Sequence, residues 1–167
     1  PDYKAVSDIL QQVAAGIARW QDKNSGVWYQ LLQYDATTTA DGKGDSIEGK
    51  EYNVGNASNY LEASCSSIFT YSFLKGIRLG LLDKETYLPT AEKAYQGLIK
   101  TFIRENNGRT DIIQTCASAG LGPAKNLSRT GTINYYLCGK DVSITQNEGK
   151  AIGTFILASL EYEKMKE

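Results

Sequence analysis

Leu61-Glu62-Ala63-Ser64-Cys65-Ser66-Ser67-Ile68-Phe69-Thr70-Tyr71-Ser72-Phe73-Leu74-Lys75-Gly76-Ile77-Arg78-Leu79-Gly80-Leu81-Leu82 is the stretch that decides the architecture. On a helical period, Ile68, Phe69, Tyr71, Phe73, Leu74, Ile77, Leu79, Leu81 and Leu82 fall on nearly all sides, and only Lys75 and Arg78 interrupt. A helix that is apolar around most of its girth must be covered on both sides. Ser58 or Asn59 is expected to cap its start, with Glu62 in the first turn, where a carboxylate meets the positive end of the helix dipole.

The neighbouring segments read differently. Lys84 to Arg104 predicts a helix with a single apolar stripe of Tyr87, Ala91, Ala94, Tyr95, Leu98, Ile99, Phe102 and Ile103, and Pro89 close to its start. Tyr3 to Trp20 predicts another amphipathic helix, with Val6, Leu10, Val13 and Ile17 on one side and Asp8, Gln11, Gln12 and Arg19 on the other. Gly149 to Lys166 predicts a last helix with a wide apolar surface, like that of 61–82. Asn24-Ser25-Gly26 is a turn, and Val27 to Leu32 is a short apolar run of extended character. Asp35 to Ser58 has no period and reads as a long polar loop. A second long loop follows the turn Asn106-Asn107-Gly108 and runs to Glu148.

The order is therefore amphipathic helix, loop, buried helix, twice over. In each half the wet-faced helix ends, a glycine turns the chain, and a long loop leads to a buried helix. Alternating outer and inner helices predict an all-α fold, part of an (α/α) toroid with its long loops at one mouth. Two helix pairs do not close a ring. The expectation is a single domain over 1–167 that forms part of a larger toroid; a lone four-helix domain is the alternative.

Composition excludes several function classes. The 167 residues carry 18 Lys+Arg against 19 Asp+Glu, a net charge of −1, which argues against a nucleic-acid surface built on bulk charge. The chain has no histidine, so Ser-His-Asp and Cys-His nucleophile pairs, imidazole metal ligands and imidazole proton relays are ruled out. Cys65, Cys116 and Cys138 are widely spaced and form no CxxC, so neither a zinc site nor a thioredoxin-type motif is expected, and they read as small buried residues. No metal, cofactor or membrane span is expected, and no leader is legible at Pro1. Asp41-Gly42-Lys43-Gly44-Asp45 looks like a calcium loop, but counting from Asp41 the twelfth position is Tyr52 instead of a glutamate, so the site is rejected. Asp41, Lys43, Asp45, Glu48, Lys50 and Glu51 read as a solvated surface loop of alternating sign.

Three stretches carry a family resemblance. They are Gly26-Val27-Trp28-Tyr29-Gln30, Leu61 to Tyr71 with Gly76-Ile77-Arg78-Leu79-Gly80-Leu81-Leu82-Asp83, and Gly149 to Glu161. In order and spacing they resemble glycoside hydrolase family 105, the unsaturated rhamnogalacturonyl hydrolases, which are related to the unsaturated glucuronyl hydrolases of family 88. The resemblance spans nearly the whole chain and matches the C-terminal half of such an enzyme. It implies a toroid of six helix pairs and a substrate bearing an unsaturated uronic acid at its non-reducing end. It implies hydration of a vinyl ether without metal or redox cofactor. An aspartic acid protonates C4, water adds at C5, and the hemiketal opens to release the aglycone, unlike the usual pair of carboxylates at the anomeric carbon. The family's proton-donating aspartate, its site histidine and its Arg-Gly-Asn-Gly-Trp-type segment belong to the N-terminal half and have no counterpart here, so no catalytic residue is expected in this chain. Where the family has Glu-Thr-Ser-Gly-Thr/Ser, this chain has Glu62-Ala63-Ser64-Cys65-Ser66, one hydroxyl fewer and bulkier at Cys65.

The candidate substrate-binding residues are Trp28, Tyr29, Glu62, Ser64 and Ser66. Glu62 suits a fixed anion better than a proton donor, binding sugar hydroxyls or an arginine; the competing reading is a capping carboxylate. Ser64 and Ser66, with the free N–H groups of the first turn, would hold a carboxylate or water, or bond locally to the backbone. Trp28 and Tyr29 would stack on a sugar or pack in the core, and alternation along an extended segment turns only one of them to a cleft. Tyr135, Tyr136 and Arg129 would rim the mouth, or the tyrosine pair would pin the loop; Trp20 reads as structural. The implied partners are such an oligosaccharide, the N-terminal half of the same polypeptide and, through exposed inner helices, a second copy. A stand-alone carbohydrate-binding or protein-interaction module is the competing function. Cytoplasm and periplasm both remain open.

Overall fold

The computed structural model describes residues 2–40, 46–47, 50–51, 57–122, 129–139 and 142–166, of which 46–47 and 50–51 are described by backbone alone. The calcium-loop-like run 41–45 and the loop charges around it lie outside these residues, Lys50 and Glu51 being described by backbone only. The helices are α1 (Asp2–Arg19), α2 (Ala63–Arg78), α3 (Lys84–Phe102), α4 (Ile133–Cys138) and α5 (Gly149–Lys164). The strands pair antiparallel in twos: β1 (Ser46–Ile47) with β2 (Lys50–Glu51), β3 (Ile103–Asn106) with β4 (Arg109–Ile112), and β5 (Thr115–Cys116) with β6 (Ile144–Thr145). The fold is mostly helical. None of the helices among the described residues is long and apolar enough to cross a membrane.

The four long helices stand where the periodicity puts them, and their ends correct the reading. The second begins at Ala63, with Glu62 itself as N-cap in an extended conformation, its carboxylate accepting from the Cys65 N–H. It stops at Arg78, four residues early. Gly80 takes φ 68°, and the N–H groups of Leu81 and Leu82 return to the Gly76 carbonyl at 2.8 and 3.1 Å. This is the glycine-terminated helix end that satisfies orphan carbonyls. The third helix stops at Phe102 because Ile103 enters a hairpin. Ile103 pairs with Ile112 and Asn106 with Arg109. Asn107 and Gly108 make the two-residue connection at φ 50° and 79°. Both central residues at positive φ match the twist of the flanking strands. The region after Asn106 is thus not one continuous loop: it holds β4, β5, α4 and β6, with β3 just ahead of it where the third helix was expected to continue, and the all-α reading is corrected to that extent.

The core lies where α2 meets α5 and α3. Trp28 is its centre, edge-on to Phe69 at 5.4 Å and stacked with Phe73 at 6.2 Å; Phe73 stacks in turn on Tyr87 of α3 at 5.5 Å. Tyr95 and Tyr162 stack at 3.9 Å and join α3 to α5. Arg78 and Glu161 join α2 to α5 through two hydrogen bonds, 2.6 and 3.1 Å. Gly97 of α3 lies where an added Cβ would sit 2.2 Å from the Ser25 carbonyl, so glycine is what allows the 24–27 turn to lie on α3. Deleting a core aromatic such as Trp28 costs about 4 kcal/mol through lost transfer energy and the void left behind.

Two helices keep apolar faces open. On α1, Tyr3, Val6, Ile9 and Val13 are all at least half exposed. On α5, Ile152, Ile156, Leu157 and Leu160 are exposed, and only Ala151, Ala158 and Glu161 are buried. The expectation that the last helix is covered as fully as the second does not hold within this chain, because the described residues pack against one side of it only.

Candidate functional site

The start of α2 gathers four of the five candidate residues, and its centre is Glu62. Its side chain is almost wholly buried. One carboxylate oxygen accepts from the Cys65 N–H at 2.6 Å; the other accepts from the Ser64 hydroxyl at 2.8 Å and from the Cys116 N–H at 3.0 Å. The Glu62 N–H donates to the Trp28 carbonyl at 2.9 Å, so three segments converge on this residue. A buried carboxylate needs such donors to offset its desolvation. With its oxygens occupied by groups of its own chain, Glu62 is an anchored anion that ties 28, 62–65 and 116 together, and it is not aimed at a substrate proton. The same reorganisation explains the change of cap. Asn59, expected near the helix cap, is instead buried beside residues 31–34: its amide accepts from the Leu31 N–H at 3.1 Å and donates to the carbonyls of Leu31 and Tyr34 at 3.1 and 3.0 Å.

The remaining candidates separate by burial. Ser66 is fully buried, and its hydroxyl accepts from the Trp28 N–H at 3.0 Å. Trp28 is also fully buried, and its indole N–H donates to the Ile17 carbonyl at 2.7 Å, fixing the end of α1. A sugar-stacking role for Trp28 and a ligand-holding role for Ser66 are therefore corrected: the ring packs between Phe69 and Phe73, and the hydroxyl serves the backbone beside it. Ser64 is half-buried and donates to Glu62. Tyr29 points the other way from Trp28, as alternation along an extended segment requires. It bridges to Leu61 and lines an open cleft of about 390 Å³ with Arg19, Trp20, Lys23, Tyr34 and Asp35. Burial, then the Asp22 and Asp35 carboxylates, push its phenol up from the ordinary value.

A second cleft, about 580 Å³, lies on the other side of the 30–34 turn. Trp20, Gln30, Gln33, Tyr34 and Tyr136 carry its chemistry, and Leu31, Leu32 and Ala119 complete the wall. Tyr135 packs edge-on against Tyr136 at 5.0 Å and donates to the Gly120 carbonyl at 2.9 Å, so the pair pins the loop and also presents Tyr136 to this cleft. Sequence reasoning missed Asn59, Cys116, Trp20 and Tyr34 as site elements. Asn107-Gly108 was the available signal for the hairpin that brings the 112–116 segment back to α2; nothing local marks Asn59 or the Cys116 N–H.

Burial, and after it the Glu62 carboxylate, hold the Cys65 thiol well above its ordinary value, and burial pushes the Tyr60 phenol up. Neither is a nucleophile at neutral pH. The three cysteines are free thiols. Among the described residues no group of acidic, cysteine or histidine side chains is placed to hold a metal ion.

Comparison with known proteins places this arrangement. Residues 53–166 match the model of Glycosyl Hydrolase Family 88. A glycoside hydrolase of family 105 from Clostridium acetobutylicum superposes with a TM-score of 0.75 at 38% identity, over 98% of this chain and 39% of that one. A structure from Salmonella enterica serovar Paratyphi A, described as a possible member of family 105, shares the fold with a TM-score of 0.61 at 24% identity, over 100% of this chain and 35% of that one. Protein Atu3128 of Agrobacterium fabrum is 29% identical over 168 residues, which is 96% of this chain and 62% of that protein. The chain thus spans less than two thirds of the length of these relatives, and with the family model covering more than half of its residues, it belongs to glycosyl hydrolase family 88.

Proposed function

We propose that this chain is the C-terminal part of an unsaturated uronyl hydrolase. The whole enzyme removes the unsaturated uronic acid from the non-reducing end of oligosaccharides left by polysaccharide lyases, rhamnogalacturonan fragments among them. A proton is added at C4 of the vinyl ether, water adds at C5, and the hemiketal opens to release the aglycone, with no metal or redox cofactor.

The observation that carries this reading is 38% identity across 98% of the chain to a family 105 glycoside hydrolase of which it spans 39%. Two features support the division of labour. Glu62 is engaged by Ser64, Cys65 and Cys116, which agrees with a substrate-protonating acid supplied by the N-terminal half. The open apolar faces of α1 and α5 suit helices of a toroid whose further pairs belong to that half. By itself the chain is then inactive and self-associates through these faces. Tyr29, at the edge of its cleft, is the original candidate best placed to meet substrate, and Ser64 and Glu62 support the wall behind it.

The test is the protein at native length with an unsaturated rhamnogalacturonan disaccharide, following the ultraviolet absorbance of the conjugated double bond. Loss of absorbance by the native-length protein and none by residues 1–167 is the expected result. A second reading, a stand-alone all-α carbohydrate-binding or interaction module, draws on the core that α2, α3 and α5 close without further chain. It predicts no loss of absorbance at any length and a native mass equal to that of this chain.

A further inference from the structure

We propose that Gln114 is a positioning residue: it clamps the segment 61–63 along one edge and so holds Tyr29, which is set against the other edge, in its cleft. The proposal rests on the reading in which Tyr29 meets substrate, and it adds the residue that fixes where Tyr29 stands.

The first observation is a backbone that glutamine does not favour. Gln114 has φ 59°, in the left-handed region. The other residues with side chains at positive φ among the described residues are Asn107 and Asn147. Asparagine tolerates this conformation, because its short amide bonds the nearby backbone. Glutamine has no such allowance, and a residue kept there persists only where its surroundings over-determine it.

Two hydrogen bonds do so. The Gln114 carbonyl accepts from the Ala63 N–H at 2.9 Å, and its side-chain amide donates to the Leu61 carbonyl at 3.2 Å. Backbone and side chain of one residue thus grip Leu61 and Ala63 together. The amide stands where a neighbouring strand would offer its N–H. Glycine in this place would keep the carbonyl and lose the amide, and asparagine would carry an amide one methylene shorter.

The opposite edge of the same segment carries Tyr29. Tyr29 and Leu61 face each other in an antiparallel bridge. It is closed by the Glu62 N–H on the Trp28 carbonyl at 2.9 Å and the Gln30 N–H on the Tyr60 carbonyl at 2.8 Å. Those bonds use residues 60 and 62, so the Leu61 carbonyl faces away from 28–30, toward Gln114. Cys116, two residues further on, brings its N–H to Glu62 at 3.0 Å. The segment is therefore held between 28–30 and 114–116, and the amide of Gln114 is the side-chain part of that hold.

The experiment is nuclear magnetic resonance on the native-length protein with carbon-13 at tyrosine Cζ, the Tyr29 signal being assigned by Tyr29→Phe. In the wild type, burial and then the Asp22 and Asp35 carboxylates raise the Tyr29 phenol above its ordinary value, in a cleft that Arg19, Lys23 and Tyr34 also line. The variants are Gln114→Gly, which suits the positive φ, and Gln114→Asn, which tolerates it. Both are expected to keep the melting midpoint and the buried Trp28 indole resonance, to move the Tyr29 signal, and to bring its titration down toward the ordinary value. With the unsaturated disaccharide, KM is expected to rise about tenfold, the scale of one aromatic contact, while kcat changes by no more than about twofold. A merely structural residue would lower the active fraction, seen as a fall in kcat at constant KM.

An unmoved Tyr29 signal in a folded variant, a fall in kcat alone, or loss of the fold in both variants overturns the proposal. A Tyr29 response in a protein that leaves the disaccharide intact keeps the positioning role and removes the hydrolase reading; absorbance loss with Tyr29 unmoved does the reverse.

Discussion

The Arg78 guanidinium meets the Glu161 carboxylate at 2.6 Å across 83 residues of sequence, with Lys164 at 3.4 Å on the same carboxylate. Glu161 is nearly buried and Arg78 is partly open, so the pair locks α2 to α5 at the rim of the core. Arg78→Met leaves the carboxylate beside Lys164 alone, and a loss of about 2 kcal/mol is expected in urea unfolding. Removing both partners, Arg78→Met with Glu161→Met, is expected to recover most of it.

The same pair sets an acid limit. The hydrogen bond from Arg78 first, and Lys164 after it, hold the Glu161 carboxyl below its ordinary value of 4.5 against the opposing effect of desolvation. Its contribution to stability is therefore complete above pH 4.5 and is lost as pH falls through the lowered folded value. Asp83, held low by Thr86 at the start of α3, moves in the same direction. Thermal melts of wild type are expected to fall steeply below that pH, and Glu161→Gln is expected to flatten the fall.

Glu62→Ala removes an N-cap and strands the buried Cys116 N–H. The two costs together are about 3 kcal/mol. Glu62→Gln keeps an acceptor and is expected to lose about half as much. Denaturant midpoints of the two variants check this ordering. A loss of activity in Glu62→Gln with an unchanged midpoint would point instead to contact with substrate.

Two glycines in helices are expected to respond with opposite sign. Gly16 on α1 has no atom within 4 Å of an added Cβ, so Gly16→Ala gains about 1 kcal/mol from helix propensity. Gly97→Ala drives its methyl into the Ser25 carbonyl at 2.2 Å, and a net loss of about 2 kcal/mol is expected as the 24–27 turn is pushed off α3. Melting temperatures of both variants decide it.

Val13→Glu with Ile156→Glu places charge on the two open faces. If these faces drive self-association of residues 1–167, sedimentation is expected to shift toward monomer with secondary structure kept. On the proposed reading, in which further helix pairs of the native-length protein cover these faces, the same pair is expected to destabilise that protein.

Much of the fold was legible because burial follows period. The four long helices are written in runs of apolar residues whose spacing is helical, and Leu61 to Leu82 could only be a helix covered on most sides. Two glycine signals were not followed to their consequence. Gly80 sat inside an apolar run whose pattern argued for continuation, although its positive φ ends the helix. Asn107-Gly108 was read as a turn, but the strands beside it, Ile103–Asn106 and Arg109–Ile112, are mostly polar and exposed, so no alternation announced them. The site was legible only as residue types. Glu62 stands at the helix start where the sequence puts it and caps α2, the reading that competed with substrate binding, yet one of its partners, the Cys116 N–H, lies 54 residues away and is a backbone group that every residue except proline carries. Trp28 and Tyr29 are adjacent, and which of them enters the core was decided by Phe69 and Phe73 on another element.

The bond from the Trp28 indole to the Ile17 carbonyl has a consequence for how the molecule comes apart. It grips α1 near its C-terminal end, while Gln11 reaches the Leu81 carbonyl and Ala14 is the only residue of the helix that is buried. Ahead of Leu10, which packs on the core, the exposed Lys4–Asp8 pair and the helical ladder hold the segment among the described residues. In residues 1–167 by themselves, that end opens first and alone. Amide exchange is then expected to be fastest from Tyr3 to Ile9 and slower beyond Ala14, and a protease would trim the helix back toward the Trp28 clasp while the α2–α5 core stays closed.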